Sequence, residues 1–129
     1  MEVFDEHFID SSLRIGKSVK GGYGVFAVVD IDVDVVVEYS PYSGGVKYSS
    51  WGVVPKELRQ IVYSYPIGSD NYVIGLGYLS LYNHDDNNNC IWATNEGGIY
   101  VYTRRKVSVG EELCINYGEG YWKNGWKKV

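Results

Sequence analysis

Cysteine is scarce in this chain: Cys90 and Cys114 are the only two among 129 residues. A structural zinc site usually takes four Cys and His ligands at close spacing, so no metal is expected and both thiols read as small buried residues of strands. Also missing is any apolar run near the roughly 20 residues that a membrane-spanning helix needs. The opening MEVFDEHFID is acidic and lacks the basic start of a secretory signal. Together these absences point to a soluble, intracellular protein that does not engage a membrane. Basic charge is short as well. Sixteen acidic residues against 12 basic ones give a formal net charge of −4, the wrong sign for displacing counterions from nucleic-acid phosphates. A basic peptide suits such a surface better. There are no heptads, no solenoid repeat and no linker that would divide the chain. Its length fits one domain of the usual roughly 100 to 150 residues, and 45% hydrophobic content supplies one core.

What the chain does have is a succession of short β segments. Leu13, Ile15, Lys17 and Val19 alternate before Gly21 and Gly22, and Tyr23 to Val29 follow as a second β-rich run, which predicts a hairpin. A third run, Val35 to Tyr39, follows Asp30, Asp32 and Asp34. The same turn-then-strand pattern returns late in the chain, where VSVGEELCINY lines up with IDVDVVVEY. At the turn the later copy has Gly110 and the earlier one Asp34, a residue that tolerates positive φ better than most. Residues 40 to 52, SPYSGGVKYSSWG, read as a variable loop. Pro55 at a first helical position, then Leu58, Ile61, Val62 and Tyr65 on one face with Pro66 as a stop, predict one short helix over 55 to 64. Tyr72, Ile74 and Leu76 alternate again, a further extended segment delivers Asn83, and Ile99 to Thr103 form another strand after the EGG turn.

Three motifs carry chemistry. The glycines of GGYGVFA, residues 21 to 27, are followed by β-branched and aromatic residues rather than by a helix, which excludes a dinucleotide-binding Rossmann turn. Taken alone, the motif is an ordinary hairpin turn. Asn83 and His84 open the polar segment NHDDNNN. Such a segment is most often a turn whose side chains bond to nearby backbone, and no Cys, His or carboxylate at matching spacing supports His84 as a metal ligand or general base. The run GEELCINYG, residues 110 to 118, closes on Tyr117. A tyrosine at a strand end usually just packs.

In this order and spacing, GGYGVFA, NHxxxxN and GEELxIxYG resemble the SET-domain family of S-adenosylmethionine-dependent lysine methyltransferases. The resemblance covers nearly the whole chain and is nearest to the minimal viral SET proteins. It implies a mainly β fold, a β-clip of several small sheets with a knot-like C-terminal threading. Residues 11 to 118 would form the core and 119 to 129 a C-terminal lid, with no flanking zinc module. It assigns the cofactor S-adenosylmethionine to Gly22, Tyr23, Gly24, Asn83, His84, Tyr117 and Trp122, and catalysis to Tyr117. Tyr63, Tyr65, Trp92, Ile115 and Tyr121 become walls of the lysine channel, although core packing is an equal alternative for Tyr63, Tyr65 and Trp92. Asn89 takes the place of the family's second asparagine, whereas Asp85 and Asn88 stand where a serine and a proline are usual.

The same resemblance implies a homodimer, a histone H3 tail as substrate and action in a host nucleus, although the run Arg104, Arg105, Lys106 is too short to prove nuclear import. A lysine amine has a pKa of about 10.4 and must lose its proton to attack the donor's methyl group; burial in a channel and a nearby sulfonium charge both favour that loss. Tyr117, with an ordinary pKa of about 10, is a poor base at neutral pH, and alignment of the reacting groups is the better role for it. Ile115, where many relatives carry Phe or Tyr, leaves room for di- or trimethyl-lysine. The departures at Asp85 and Asn88 keep open a degenerate SET-like module that binds a peptide without turnover. An aromatic-rich β domain that binds peptide or carbohydrate is a third reading, with no positive support.

Overall fold

The two turn-and-strand units aligned in the sequence lie against each other in the computed structural model, which describes residues 7–41 and 47–118. Ile31 N–H donates to the Val107 carbonyl at 2.8 Å and Val107 N–H returns the bond to Ile31 at 2.9 Å, an isolated antiparallel bridge. Asp34 has φ +63° and Gly110 φ +84°, so both copies turn through the left-handed region at the aligned position.

The described residues form eleven short strands: β1 (Phe8–Ile9), β2 (Leu13–Lys17), β3 (Tyr23–Ala27), β4 (Val36–Pro41), β5 (Lys47–Tyr48), β6 (Val62–Ser64), β7 (Tyr72–Ile74), β8 (Asn83–His84), β9 (Cys90–Thr94), β10 (Gly98–Thr103) and β11 (Glu112–Ile115). They assemble into three sheets with strand orders β1-β4-β10-β9, β2-β3-β11-β8 and β5-β7-β6. The fold is mainly β, as the sequence implied.

The expected hairpin is β2 with β3, in register from Leu13 opposite Ala27 to Lys17 opposite Tyr23. On the far side of β3 lies β11, antiparallel, with Glu112 opposite Phe26 and Leu113 opposite Val25. β11 in turn pairs in parallel with β8, setting Cys114 beside Asn83 and Ile115 beside His84. The late strand is thus inserted between the glycine-turn hairpin and the Asn83-His84 segment, and this insertion brings the three motifs together.

Val25, Val37, Val101, Val107, Leu113 and Ile115 are all buried in one core with Leu79 and Tyr82. Each fully buried aliphatic side chain contributes about 1.5–3 kcal/mol. Because Leu113 and Ile115 belong to this set, the core grips the strand that leads into Tyr117. Cys90 and Cys114 are buried, unbridged residues of β9 and β11, and burial pushes the Cys90 thiol up to about 12.

The helix expected over 55–64 does not form. Pro55 precedes a single 3₁₀ turn, Lys56–Leu58, and the chain then runs extended as β6, paired antiparallel with β7. Val62 and Tyr63 are β-branched and aromatic, types that lose side-chain freedom in a helix and fit a pleated surface. With Pro66 close behind, no further helical turn is available to offset the cost of nucleation. The one-face pattern of Leu58, Ile61, Val62 and Tyr65 therefore belongs to a turn followed by an edge strand. Of the loop expected over 40–52, the described residues 40, 41 and 47–52 include regular elements. β4 extends to Pro41, β5 pairs with β7, and Trp51–Val53 form a 3₁₀ turn.

Candidate active site

Tyr117 follows directly on β11 and is held at both ends by the segment around β8. Its backbone N–H donates to His84 Nδ1 at 2.9 Å, and its hydroxyl donates to the Tyr82 carbonyl at 2.9 Å. The two rings lie 5.2 Å apart, tilted by 58°. Because Nδ1 accepts the Tyr117 amide, the imidazole proton sits on Nε2, which faces Asp86 Oδ1 at 2.6 Å. His84 is thereby a scaffold for the Tyr117 backbone.

Three cavities meet at Tyr117. The largest, about 510 Å³, has an aromatic wall of Trp51, Tyr63, Tyr72, Trp92 and Tyr117, with Asp70 and Asn116 among its polar lining. A small one of about 30 Å³ is bounded by Arg59, Gln60, Val62, Tyr63, Trp92, Ile115 and Tyr117. The third, about 320 Å³, is lined by Gly21, Gly22, Tyr23, Leu81, Tyr82 and Tyr117, with Glu57 and Gln60 nearby. The small cavity shares Tyr63, Trp92 and Tyr117 with the first and Gln60 and Tyr117 with the third. An aromatic cleft and a glycine-edged cleft therefore approach each other across the Tyr117 ring.

In the aromatic cleft, the Tyr63 and Trp92 rings meet edge to face at 4.9 Å and 80°. The Tyr63 hydroxyl donates to the Leu79 carbonyl at 2.6 Å, and burial raises its pKa well above the ordinary value, so it stays a neutral phenol. Tyr63 and Trp92 thus serve both packing and cleft. Ile115, fully buried, closes the small cavity. Tyr65 lines none of the three cavities. Its hydroxyl reaches the carbonyls of Asn95 and Glu96 at 3.2 and 3.0 Å.

In the glycine-edged cleft, Gly22 has φ +60° with open space where a Cβ would stand. Tyr23 is 56% exposed. Gly24 differs from its expected role. A Cβ there would strike the Glu112 carboxylate and the Asn83 amide, so its glycine clears room for protein side chains.

Asn83, fully buried, donates its Nδ2 to Glu112 Oε2 at 2.6 Å and to the Tyr23 carbonyl at 3.2 Å. Glu112 Oε1 accepts the Ser18 hydroxyl at 2.6 Å. One carboxylate therefore ties the asparagine to the glycine turn. Asn83 Oδ1 is buried without a hydrogen-bond partner among the described residues, and such an acceptor needs a donor. Asn83 itself lines none of the three cavities; it is the open space at Gly22 and the cleft edged by the glycine turn that fit an adenosyl amino acid.

Asp85, at the usual serine position, forms an ion pair with Lys20 at 2.9 Å and links the hairpin turn to the β8 segment from outside. The hydrogen bond to Lys20 lowers the Asp85 carboxyl and raises the Lys20 amine. Asn89 is a bracket for β11. Its Oδ1 accepts Cys114 N–H at 2.8 Å, and its Nδ2 donates to the Glu112 carbonyl at 2.8 Å and to Glu111 Oε2 at 3.0 Å. Tyr121 and Trp122 lie outside the described residues.

Sequence reasoning missed Glu112, Glu38 and Tyr82. Glu112 was legible only as part of the GEEL frame. Glu38 carried a signal that went unread, since an acid flanked by Val37 and Tyr39 inside an apolar strand must have partners if it is buried.

Residues 22–118 match the SET domain. A curated relative from Schizosaccharomyces pombe (strain 972 / ATCC 24843), a histone-lysine N-methyltransferase specific for H3 lysine-37, is 34% identical over 118 residues, which are 88% of this chain and 78% of the relative. Among solved structures, a Plasmodium falciparum protein assigned as a histone methyltransferase superposes with TM-score 0.68 at 28% identity, over 88% of this chain and 99% of that one. A humanized mutant of the Chaetomium thermophilum Polycomb Repressive Complex 2, bound to an inhibitor, gives TM-score 0.60 at 25% identity, over 85% of this chain and 15% of that one.

Proposed function

This chain belongs to the SET-domain family and is a protein-lysine methyltransferase, and from that premise we propose that it moves the methyl group of S-adenosylmethionine to a lysine of a histone H3 tail. The observation that carries the reading is the position of Tyr117 between two clefts of opposite character. The Gly21–Tyr23 turn and the Leu81–Tyr82 segment, which line the glycine-edged cleft, are the residues that would hold the cofactor, with Asn83 buried behind the turn and bonded to the Tyr23 carbonyl. When bound, the cofactor supplies an electrophilic methyl group on a positive sulfonium.

The chain's own residues do the rest. A substrate lysine enters along the aromatic cleft, where the faces of Trp92, Tyr63 and Tyr117 accommodate its alkyl stem and a cationic head. The head must be uncharged to react, and withdrawal from water into the space bounded by Ile115 and Val62 disfavours the ammonium form. Its proton leaves to water on the open side of the cleft. Burial keeps Tyr63 a neutral phenol, already donating to Leu79, so it does not take that proton. Tyr117 donates its hydroxyl hydrogen to Tyr82, which fixes the phenol oxygen at the junction of the two clefts, where it can align the incoming amine. Ile115 offers no hydroxyl to hold a water and less bulk than an aromatic ring. The proposed products therefore extend to di- and trimethyl-lysine.

The test is Tyr117→Phe, assayed with labelled S-adenosylmethionine and histone H3. The ring and its packing remain, so the fold should persist while turnover falls about a hundredfold, the scale of a lost alignment. Methylation at the parent rate would remove Tyr117 from the mechanism.

A further inference from the structure

Glu38, in the centre of β4, is completely buried. Its Oε1 accepts the Tyr82 hydroxyl at 2.8 Å and its Oε2 accepts the Tyr78 N–H at 2.8 Å. His7 Nε2 lies 3.5 Å from Oε2. Tyr78 belongs to the 3₁₀ turn Gly77–Ser80, and Tyr82 comes soon after it. Both carboxylate oxygens therefore hold one arch of chain, residues 77–82. The fit is close: a Cβ on Gly77, which has φ +61°, would stand 2.5 Å from Glu38 Oε2 and 2.7 Å from His7 Nε2.

The same arch presents two carbonyls to the site. Leu79 accepts the Tyr63 hydroxyl at 2.6 Å and Tyr82 accepts the Tyr117 hydroxyl at 2.9 Å. Both cleft tyrosines that end in a bonded hydroxyl are thus oriented by a segment that Glu38 grips from the other side. A buried carboxylate is a poor choice for stability, since an apolar side chain of similar volume often serves a core as well or better. Burial pushes the Glu38 carboxyl up, against the hydrogen bonds from Tyr82 and Tyr78. A carboxylate does provide two acceptors at fixed separation, which an apolar residue does not.

We propose that Glu38 is a positioning residue for methyl transfer: by holding Tyr78 N–H and the Tyr82 hydroxyl it fixes the Leu79 and Tyr82 carbonyls, and through them the hydroxyls of Tyr63 and Tyr117. The proposal rests on the methyltransferase reading of the site. It needs no contact between Glu38 and substrate.

The test compares Glu38→Gln, Tyr82→Phe and the double variant, in full chains. Methyl transfer to histone H3 is measured alongside calorimetric binding of S-adenosylmethionine and NMR of protein carrying 13Cζ-tyrosine. Each single variant should lower kcat by about tenfold or more, as small misalignments do. The KM for histone H3 should stay within about twofold, because uniform binding of the peptide is untouched, and the cofactor Kd should weaken by clearly less than kcat falls, because only the Leu81–Tyr82 side of its cleft moves. The double variant should be no worse than the poorer single one, because both cut the same link. The Tyr117 and Tyr63 signals should move while that of Tyr48, in β5, stays put.

An unchanged kcat with unmoved Tyr117 and Tyr63 signals would overturn the proposal. A loss of cofactor affinity as large as the loss of kcat, together with a fall in thermal stability, would overturn it too, since that marks a purely structural carboxylate. If Glu38→Gln does not fold, Tyr82→Phe carries the test alone. If the unaltered protein leaves histone H3 unmodified, the functional reading fails, and the tyrosine signals still decide whether the arch is set by Glu38.

Discussion

Replacing Asn89 by alanine should destabilise the fold measurably, because this side chain holds β11 in place. The change removes the acceptor of the Cys114 N–H, the donor to the Glu112 carbonyl and the donor to Glu111. Cys114 is 4% exposed, so its stranded amide costs about 1–3 kcal/mol. The Glu112 carbonyl loses one partner, about 1 kcal/mol, and the Glu111 carboxylate, more than a third exposed, recovers water at no cost. The sum is about 2–4 kcal/mol out of the roughly 5–15 kcal/mol that stabilise such domains. It should appear as a fall of about 8–15 °C in Tm and as a lower urea midpoint with unchanged slope.

Asn89→Asp sharpens the test. It keeps an acceptor for Cys114 but turns a negative oxygen toward the Glu112 carbonyl and Glu111. Its deficit should be largest at neutral pH and should shrink on acidification, when a protonated carboxyl can donate again. A loss below about 1 kcal/mol for Asn89→Ala, within the range of ordinary surface changes, would refute the bracket. So would an Asn89→Asp variant as stable as the parent at neutral pH.

Two further outcomes follow from other parts of the site. Ile115→Tyr adds a ring and a hydroxyl to a cavity of about 30 Å³, so product mass spectra should shift towards monomethyl-lysine, and an unchanged product distribution would count against Ile115 as the limit on methyl number. Lys20→Met should cost less than about 1 kcal/mol, since both partners of its ion pair are about one-third exposed and screened. The Asp85 contribution is present above the ordinary aspartate range and fades as pH falls through its lowered value. The Lys20 contribution is present below the ordinary lysine value and fades as pH rises through its raised one. Urea titrations of parent and variant should therefore diverge at neutral pH and converge at both extremes and in high salt.

The β content, the Leu13–Ala27 hairpin and the two matched turn units were legible because each rests on local pattern: alternation, glycine turns, and Asp34 where Gly110 stands. The short helix was misread because the spacing of Leu58, Ile61, Val62 and Tyr65 suits either a helix or a turn followed by an edge strand, and pairing with β7 decides between them. At the site, the GEEL frame and Asn83-His84 are brought side by side by the pairing of β11 with β8. What remained hidden was set by contacts between distant residues. Gly24 yields its space to Glu112 and Asn83, His84 serves the Tyr117 amide, and Glu38 meets Tyr82 across a long stretch of sequence. None of these pairings has a periodicity to read.

The insertion of β11 between β3 and β8 has a consequence for how activity is acquired. Its neighbours, Val25 and Phe26 on one side and Asn83 and His84 on the other, are far from it along the chain, and such non-local closure is the slow step of folding. Until that closure occurs, the glycine turn, the asparagine and the tyrosine are three unrelated pieces of polypeptide. Partly folded forms are therefore expected to be silent rather than weakly active, and the first turnover in a renaturation assay should follow the docking of β11 between β3 and β8.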